Sequence, residues 1–326
     1  MEENTNLKQD KLEEQNKLKI KYEDLILKYE IFTDEYFKKN EKTILEIFND
    51  NNLELSKTKY DFDNNEIIIL IGFYYLDKKN YKQMKKYFEI ALNKMYSYGF
   101  VGLGYYYQLE KKYNLTKINY INGINLNNTL ATHLLGKYYE TIEIKKDLMK
   151  YYYEMAILNN YFRSAHNLGK YYQFIEINYD KMKEYYELSI NKLNFSDSYY
   201  WLGYYYQHTE INYDLMKKNY EEAIYNNNNN IKAMLNLGYY YQNIEINYDL
   251  MLKYYNMASD LDNSIAQNLL GYYYQHIKIN YPIMKHYYSY AIKNGNSDSM
   301  NNLGYYYYHI EKNYQKAIEY YLMAIK

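Results

Sequence analysis

Two rows of side chains suited to recognition recur along this 326-residue chain, each at a fixed distance from a repeated glycine. Four residues after the glycine stand Gln108, Glu140, Gln173, Gln207, Gln242 and Gln275, flanked in the same register by Leu76 and Tyr308. One residue after it stand Phe73, Tyr105, Lys137, Lys170, Tyr204, Tyr239, Tyr272 and Tyr305. Tyrosine offers a large rigid ring with a polar tip, and a primary amide both donates and accepts hydrogen bonds. Side by side, such rows suit the backbone of a bound peptide. Duplication of a repeat would also copy both rows without any binding role.

Histidines recur too. His208, His276 and His309 share the position five after the glycine, and His133 and His166 the position three before it. Equivalent positions on neighbouring packed helices lie roughly 10 Å apart. Two imidazoles, each needing to be about 2 Å from one zinc, do not bridge that gap. Surface or groove histidines are therefore expected, with no metal and no cofactor. Catalytic signatures are missing as well: the chain carries no phosphate-cradling glycine loop after a strand, no nucleophile elbow and no His-Glu-x-x-His. Its carboxylates are spread along helix starts and exposed faces, where capping and solvation explain them, so a non-catalytic protein is expected.

Composition narrows the classes further. Hydrophobic residues make up 48% of the chain, enough for a large core. The formal net charge is −1, from 39 basic and 40 acidic residues, which gives no electrostatic reason to bind phosphate backbones or anionic membranes. There is a single arginine, Arg163, so a nucleic-acid partner is not expected. The absence of cysteine excludes disulfides, thiolate metal sites and thiol nucleophiles. The first residues, MEENTNLKQDKLEE, lack the apolar run of a signal peptide. The longest apolar stretch, Ile67 to Leu76, is about half of a membrane span. An intracellular, cytoplasmic protein is expected. The 54 tyrosines and the many Asn, Lys and Ile all have A/T-rich codons, so part of the bias can be genomic. The run Asn226 to Asn230 reads as a tolerated loop expansion.

The positioning elements follow from the repeat. An apolar residue followed by glycine occurs eight times, 32 to 35 residues apart: Ile71-Gly72, Leu103-Gly104, Leu135-Gly136, Leu168-Gly169, Leu202-Gly203, Leu237-Gly238, Leu270-Gly271 and Leu303-Gly304. Three residues after each glycine is a tyrosine, from Tyr75 to Tyr307. Offsets of −4, −1 and +3 fall on one stripe of an α-helix, and positions +1 and +4 lie off it. Glycine in a helix interior costs about 1 kcal/mol relative to alanine, so its recurrence points to close helix approach. A second helix follows, opened by Asn178, Asn212, Asn247, Asn280 and Asn313 as N-caps. It presents Met149, Met182, Met216, Met251, Met284 and Ala317, then a tyrosine four later, then a small residue three beyond that. A period of this length means stacked hairpins that bury their apolar faces against their neighbours.

Tyr199, Leu202, Gly203 and Tyr206, with Ala317, Tyr321 and Ala324, resemble the motif of the tetratricopeptide repeat, including its Sel-like branch. The resemblance covers residues 66–326 and departs from the pattern where Met replaces the first Ala and the closing Pro is missing. It implies an all-α, right-handed superhelical solenoid of about eight antiparallel helix pairs. It also implies a concave groove, lined by the first helices, that holds a segment of a partner protein. Tyr105, Gln108, Gln173, Tyr204, Gln207, His208, Tyr239, Gln242, Tyr272, Gln275, His276 and Tyr305 would then face that partner. Residues 1–65 do not fit the repeat. Leu18, Tyr22, Leu25, Tyr29 and Phe32 suggest a charged helical region that caps the first hairpin. At the other end no helix follows the eighth pair. Ile318, Tyr321, Leu322 and Ile325 are therefore expected as a second candidate surface, for self-assembly into homo-oligomers.

Overall fold

The computed structural model describes residues 41–49 and 64–325. Among the described residues there are seventeen α-helices and no strands. Helix α1 (Glu41–Asn49) is followed by hairpins α2/α3 (Asn65–Asp77, Tyr81–Asn93), α4/α5 (Tyr98–Leu109, Tyr113–Asn125) and α6/α7 (Thr129–Thr141, Lys146–Leu158). Then come α8/α9 (Arg163–Phe174, Tyr179–Leu193), α10/α11 (Ser196–His208, Tyr213–Asn226) and α12/α13 (Ile231–Asn243, Tyr248–Asp260). The last pairs are α14/α15 (Ser264–His276, Tyr281–Lys293) and α16/α17 (Ser297–His309, Tyr314–Ile325). The chain forms two compact units, residues 1–164 and 165–326, each a consecutive stack of such pairs.

Capping residues set the helix starts. Asn178, Asn212, Asn247, Asn280 and Asn313 each accept, through the side-chain oxygen, the backbone N–H three residues on, at 3.0–3.1 Å. That bond satisfies a donor the helix leaves orphaned. First helices use the same device at Asn128, Asn230, Asn263 and Asn296. Within the run Asn226–Asn230, read as a tolerated expansion, Asn230 alone is set apart as such a cap. Asn230 is buried, caps α12, and donates from its amide to the Ser196 hydroxyl at 2.8 Å.

The predicted stripes form the core. The apolar residue before each glycine is buried in all eight hairpins, as are Met149, Met182, Met216, Met251, Met284 and Ala317. The glycines are needed because an aromatic ring of the second helix lies flat on them. A methyl group on Gly203 would stand 2.7 Å from the Tyr220 ring, and one on Gly136 the same distance from Tyr153. Beside this contact the tyrosine three residues after the glycine stacks on a second-helix ring in six of the eight hairpins. In the pairs Tyr172–Tyr185, Tyr241–Tyr254, Tyr274–Tyr287 and Tyr307–Tyr320 the planes are within 7° of parallel.

Three hairpin turns place isoleucine in the left-handed region: Ile144, Ile211 and Ile246, at φ 51°, 46° and 44°. A β-branched residue is strained there by about 1–3 kcal/mol. The connections between hairpins use residues better suited to that conformation, including Asn127, Asn160, Asn194 and Gly295. Of the N-terminal region, α1 buries Ile44, Leu45, Ile47 and Phe48, and Phe48 meets Tyr74 edge to face. Leu18, Tyr22, Leu25, Tyr29 and Phe32 lie outside the described residues.

Candidate partner-binding face

The glutamine row has an internal partner. In the unit 165–326, the hydroxyls of Tyr186, Tyr220, Tyr255 and Tyr288 donate to Oε1 of Gln173, Gln207, Gln242 and Gln275, at 2.7, 2.6, 2.9 and 2.7 Å. These are the same tyrosines whose rings cover the glycines. Each ring is fully buried, and its hydroxyl would be costly to bury alone. Burial also pushes these phenols well above their usual pKa. In the unit 1–164, Tyr120 donates to Gln108 at 3.2 Å and Tyr153 to Glu140 at 2.7 Å. Gln173, Gln207 and Gln275 are buried. The row expected to present amides to a ligand thus has its carbonyls committed to the hairpin interior.

Tyrosines at the neighbouring position do stand outward. Tyr239, Tyr272 and Tyr305 are 54%, 43% and 47% exposed, and Tyr204 is half-buried. Three of the four carry a histidine one turn on as a lid. The ring centroids are 4.3 Å apart for Tyr204–His208, 4.4 Å for Tyr272–His276 and 4.2 Å for Tyr305–His309. The fourth has Asn243 instead. None of these eight positions bears a charged Asp, Glu, Lys or Arg. Tyr105, in the other unit, meets Phe73 edge to face.

One part of this face is not legible in the repeat pattern, because it uses residues that occur once. Phe174 meets Trp201 at 5.0 Å, Trp201 meets Tyr204 at 5.4 Å, and Tyr204 meets His208, giving a continuous aromatic run across α8 and α10. Trp201 is the only tryptophan in the chain, and that uniqueness was the available signal.

Not all the histidines lie where they were expected. His133 and His166 are buried, and their Nδ1 atoms hydrogen-bond Ser164 and Ser198 at 2.8 and 2.9 Å. The reading of these two as surface or groove residues is corrected: they fasten consecutive first helices. Among the described residues no three His, Asp or Glu side chains gather closely enough to hold a metal ion. No described helix is long and apolar enough to cross a membrane.

Four junctions between hairpins carry a polar clasp that pattern reading also missed. Lys183 and Lys217 reach Glu210 and Glu245 in the next hairpin's turn, both at 3.0 Å. Their ammonium groups lie 5.3 and 5.5 Å from the centres of the Tyr205 and Tyr240 rings. Tyr240 in turn donates to Glu245. Lys285, Glu311 and Tyr306 repeat the arrangement, as do Lys117, Glu143 and Tyr138 in the other unit. Lys117 and Lys145 hold the Glu143 carboxyl down at about 2. The signal was present, as lysine and glutamate recurring at fixed offsets from the glycine.

No protein-family model matches the sequence, and no curated protein does. Solved structures do. A Sel1 repeat protein from Oxalobacter formigenes is 20% identical over 68% of this chain and 97% of its own, with a TM-score of 0.54. A protective antigen present in uropathogenic Escherichia coli strains, displaying an SLR fold, is 18% identical over 85% and 72%, with a TM-score of 0.41. The C-terminal part of a TPR repeat-containing protein from Cytophaga hutchinsonii is 15% identical over 72% and 99%, with a TM-score of 0.48. The likeness to the Sel1 repeat protein is one of fold: this chain is an all-α solenoid with the helical-hairpin fold of the Sel1-like repeats, within the tetratricopeptide type that its motif resembles.

Proposed function

We propose that this chain is a non-catalytic, intracellular interaction scaffold. Its unit 165–326 holds a segment of a partner protein against the face lined by Tyr204, Tyr239, Tyr272 and Tyr305. The observation that carries the reading is the exposure of these rings in register, uncharged and lidded by His208, His276 and His309. Large amphipathic rings give contact area at little entropic cost, which is why tyrosine concentrates at interfaces. Gln173, Gln207, Gln242 and Gln275 act behind the face, fixing the second-helix tyrosines that support it. Tyr105 and Gln108 hold the same register in the unit 1–164. Residues 1–65 serve as the polar cap of the first hairpin.

The test is affinity capture from the native cell by wild type and by the variant Tyr239→Ala/Tyr272→Ala/Tyr305→Ala, with captured proteins identified by mass. These rings are exposed, so helicity should be unchanged. A partner held by wild type and lost by the variant supports the reading. A partner held equally by both removes this face from the interaction.

A further inference from the structure

Of the α17 residues grouped from the sequence, Ile318, Leu322 and Ile325 are exposed, and Tyr321 turns its ring onto Gly304 inside the hairpin. The tyrosine face says more about what it would hold, because the side chains around its rings differ from hairpin to hairpin. Two residues before the glycine, one turn from the tyrosine, α10, α12, α14 and α16 carry Trp201, Asn236, Leu269 and Asn302. One turn earlier stand Asp197, Lys232, Ile265 and Asp298. Hence α14 presents an apolar strip of Ile265, Leu269 and Tyr272, with Ile265 53% exposed. The helices on either side each present an amide and a charge, and the charges are opposite in sign. Asn236 and Lys232 stand on α12, Asn302 and Asp298 on α16.

Both amides are held with their donors inward. The Tyr220 hydroxyl gives its proton to Gln207 at 2.6 Å, so it accepts from Nδ2 of Asn236 at 2.8 Å. Nδ2 of Asn302 donates to Oδ1 of Asn268 at 3.0 Å, and the same oxygen accepts from the Ser299 hydroxyl. Among the described residues neither carbonyl oxygen of Asn236 and Asn302 has a hydrogen-bond partner, and neither is enclosed. An acceptor fixed in this way suits a backbone N–H of a bound segment. Among the described residues Lys232 and Asp298 have no ion-pair partner, and Lys232 stands 5.9 Å from the Tyr200 ring. Asp298 suits the positive end of its helix, but Lys232 lies in the first turn of α12, where its charge opposes the helix dipole. Helix stability does not account for that lysine, whereas a ligand carboxylate does. Successive first helices are roughly 10 Å apart, which is about three residues of extended chain. We propose that this stretch binds an extended peptide segment with a bulky apolar side chain between an acid and a base, each about three residues away. The apolar side chain packs on Ile265, Leu269 and Tyr272, the acid faces Lys232 and the base faces Asp298. Backbone N–H groups beside the two charged residues donate to Asn236 and Asn302. The inference rests on the tyrosine face being the binding surface and adds which segment that face takes.

The probe is a phage-displayed library of random dodecapeptides selected on the full chain. Wild type should enrich peptides in which a large apolar residue is flanked, about three positions away, by an acid on one side and a base on the other. Lys232→Glu should enrich peptides with bases on both sides, and Asp298→Lys peptides with acids on both sides. Neither change depends on which way the peptide runs, and Lys232→Glu favours its helix, so a new motif there is not a loss of fold. A synthetic peptide of the wild-type motif should bind about tenfold more weakly to Ile265→Ala. It should bind about fivefold more weakly to Asn302→Leu, which removes one acceptor. A library that enriches nothing on wild type would overturn the proposal, as would a charge pattern that both charge variants leave unaltered. Failure of the underlying reading looks different: Tyr239→Ala/Tyr272→Ala/Tyr305→Ala would then enrich the same peptides as wild type. Peptides lost with that triple variant but indifferent to Lys232→Glu and Asp298→Lys would keep the face and reject this segment.

Discussion

The hairpin on Gly72 and the hairpin on Gly203 share one geometry and differ in chemistry. Gly203 is covered by Tyr220, whose hydroxyl donates to Gln207 and accepts from Asn236 at 2.8 Å. Gly72 is covered by Phe88, and the residue in the glutamine's register is Leu76. Where the ring has no hydroxyl, the acceptor is gone too. The glycine therefore answers to the ring, and the glutamine answers to the hydroxyl. The difference separates a packing requirement common to both hairpins from a polar requirement that only one has.

The comparison breaks most severely if the shared part is removed. Tyr220→Ala should cost about 3–5 kcal/mol, the range for deleting a buried ring, and Phe88→Ala a similar amount. Urea midpoints at unchanged slope would measure both. If Phe88→Ala were harmless, the two hairpins would not share a packing rule. Next in size, Gly203→Ala and Gly72→Ala push a methyl into the ring above, since both contacts would be 2.7 Å. Overpacking of about 1–3 kcal/mol should outweigh the helix gain of about 1 kcal/mol. A rise in midpoint for either would mean that the ring moves aside freely.

The polar part can be tested alone. Gln207→Leu should cost about 1–3 kcal/mol by leaving the Tyr220 hydroxyl without its acceptor. Adding Tyr220→Phe to it reproduces the Phe88–Leu76 pairing and should recover about 1 kcal/mol of that loss. Simple addition of the two single effects would show that the pair is not coupled. Ser189 gives a gain of similar kind: it stands where other second helices have alanine, and its buried hydroxyl has no hydrogen-bond partner. Ser189→Ala should raise the midpoint by up to about 1 kcal/mol, and a loss would mean the hydroxyl is satisfied in solution.

Smallest is the clasp on Glu143. Its carboxyl is held at about 2 by Lys117 and Lys145, below the ordinary 4.5. A depressed carboxyl stabilises above its unfolded value and loses that contribution as pH falls from about 4.5 to about 2. Glu143→Gln should flatten stability across that window and change little at neutral pH, where exposed ion pairs contribute at most about 1 kcal/mol. An unchanged acid slope in the variant would show that the clasp does not hold in solution.

Much of this was legible beforehand. The recurrence of Leu-Gly and tyrosine gave the hairpins, Met182 and Met216 gave the inner stripe of the second helices, and Asn212 gave a cap. Each rests on contacts within a turn or two of helix, so spacing along the chain suffices. The roles of Gln207, His133 and Lys217 were not readable, although their recurrence was plain. A side chain off the core stripe can face solvent, a ligand or a neighbouring hairpin, and one helix cannot distinguish these.

The sequence by itself determined the solenoid, because a period of 32 to 35 residues with two apolar stripes leaves each hairpin no other place to bury them. Only the tertiary structure decided that the glutamines turn inward while the tyrosines beside them stay exposed. That choice belongs to the partner tyrosine, thirteen residues away in sequence and 2.6 Å away across the hairpin from Tyr220 to Gln207. A buried hydroxyl must be satisfied by whichever acceptor the packing brings within reach.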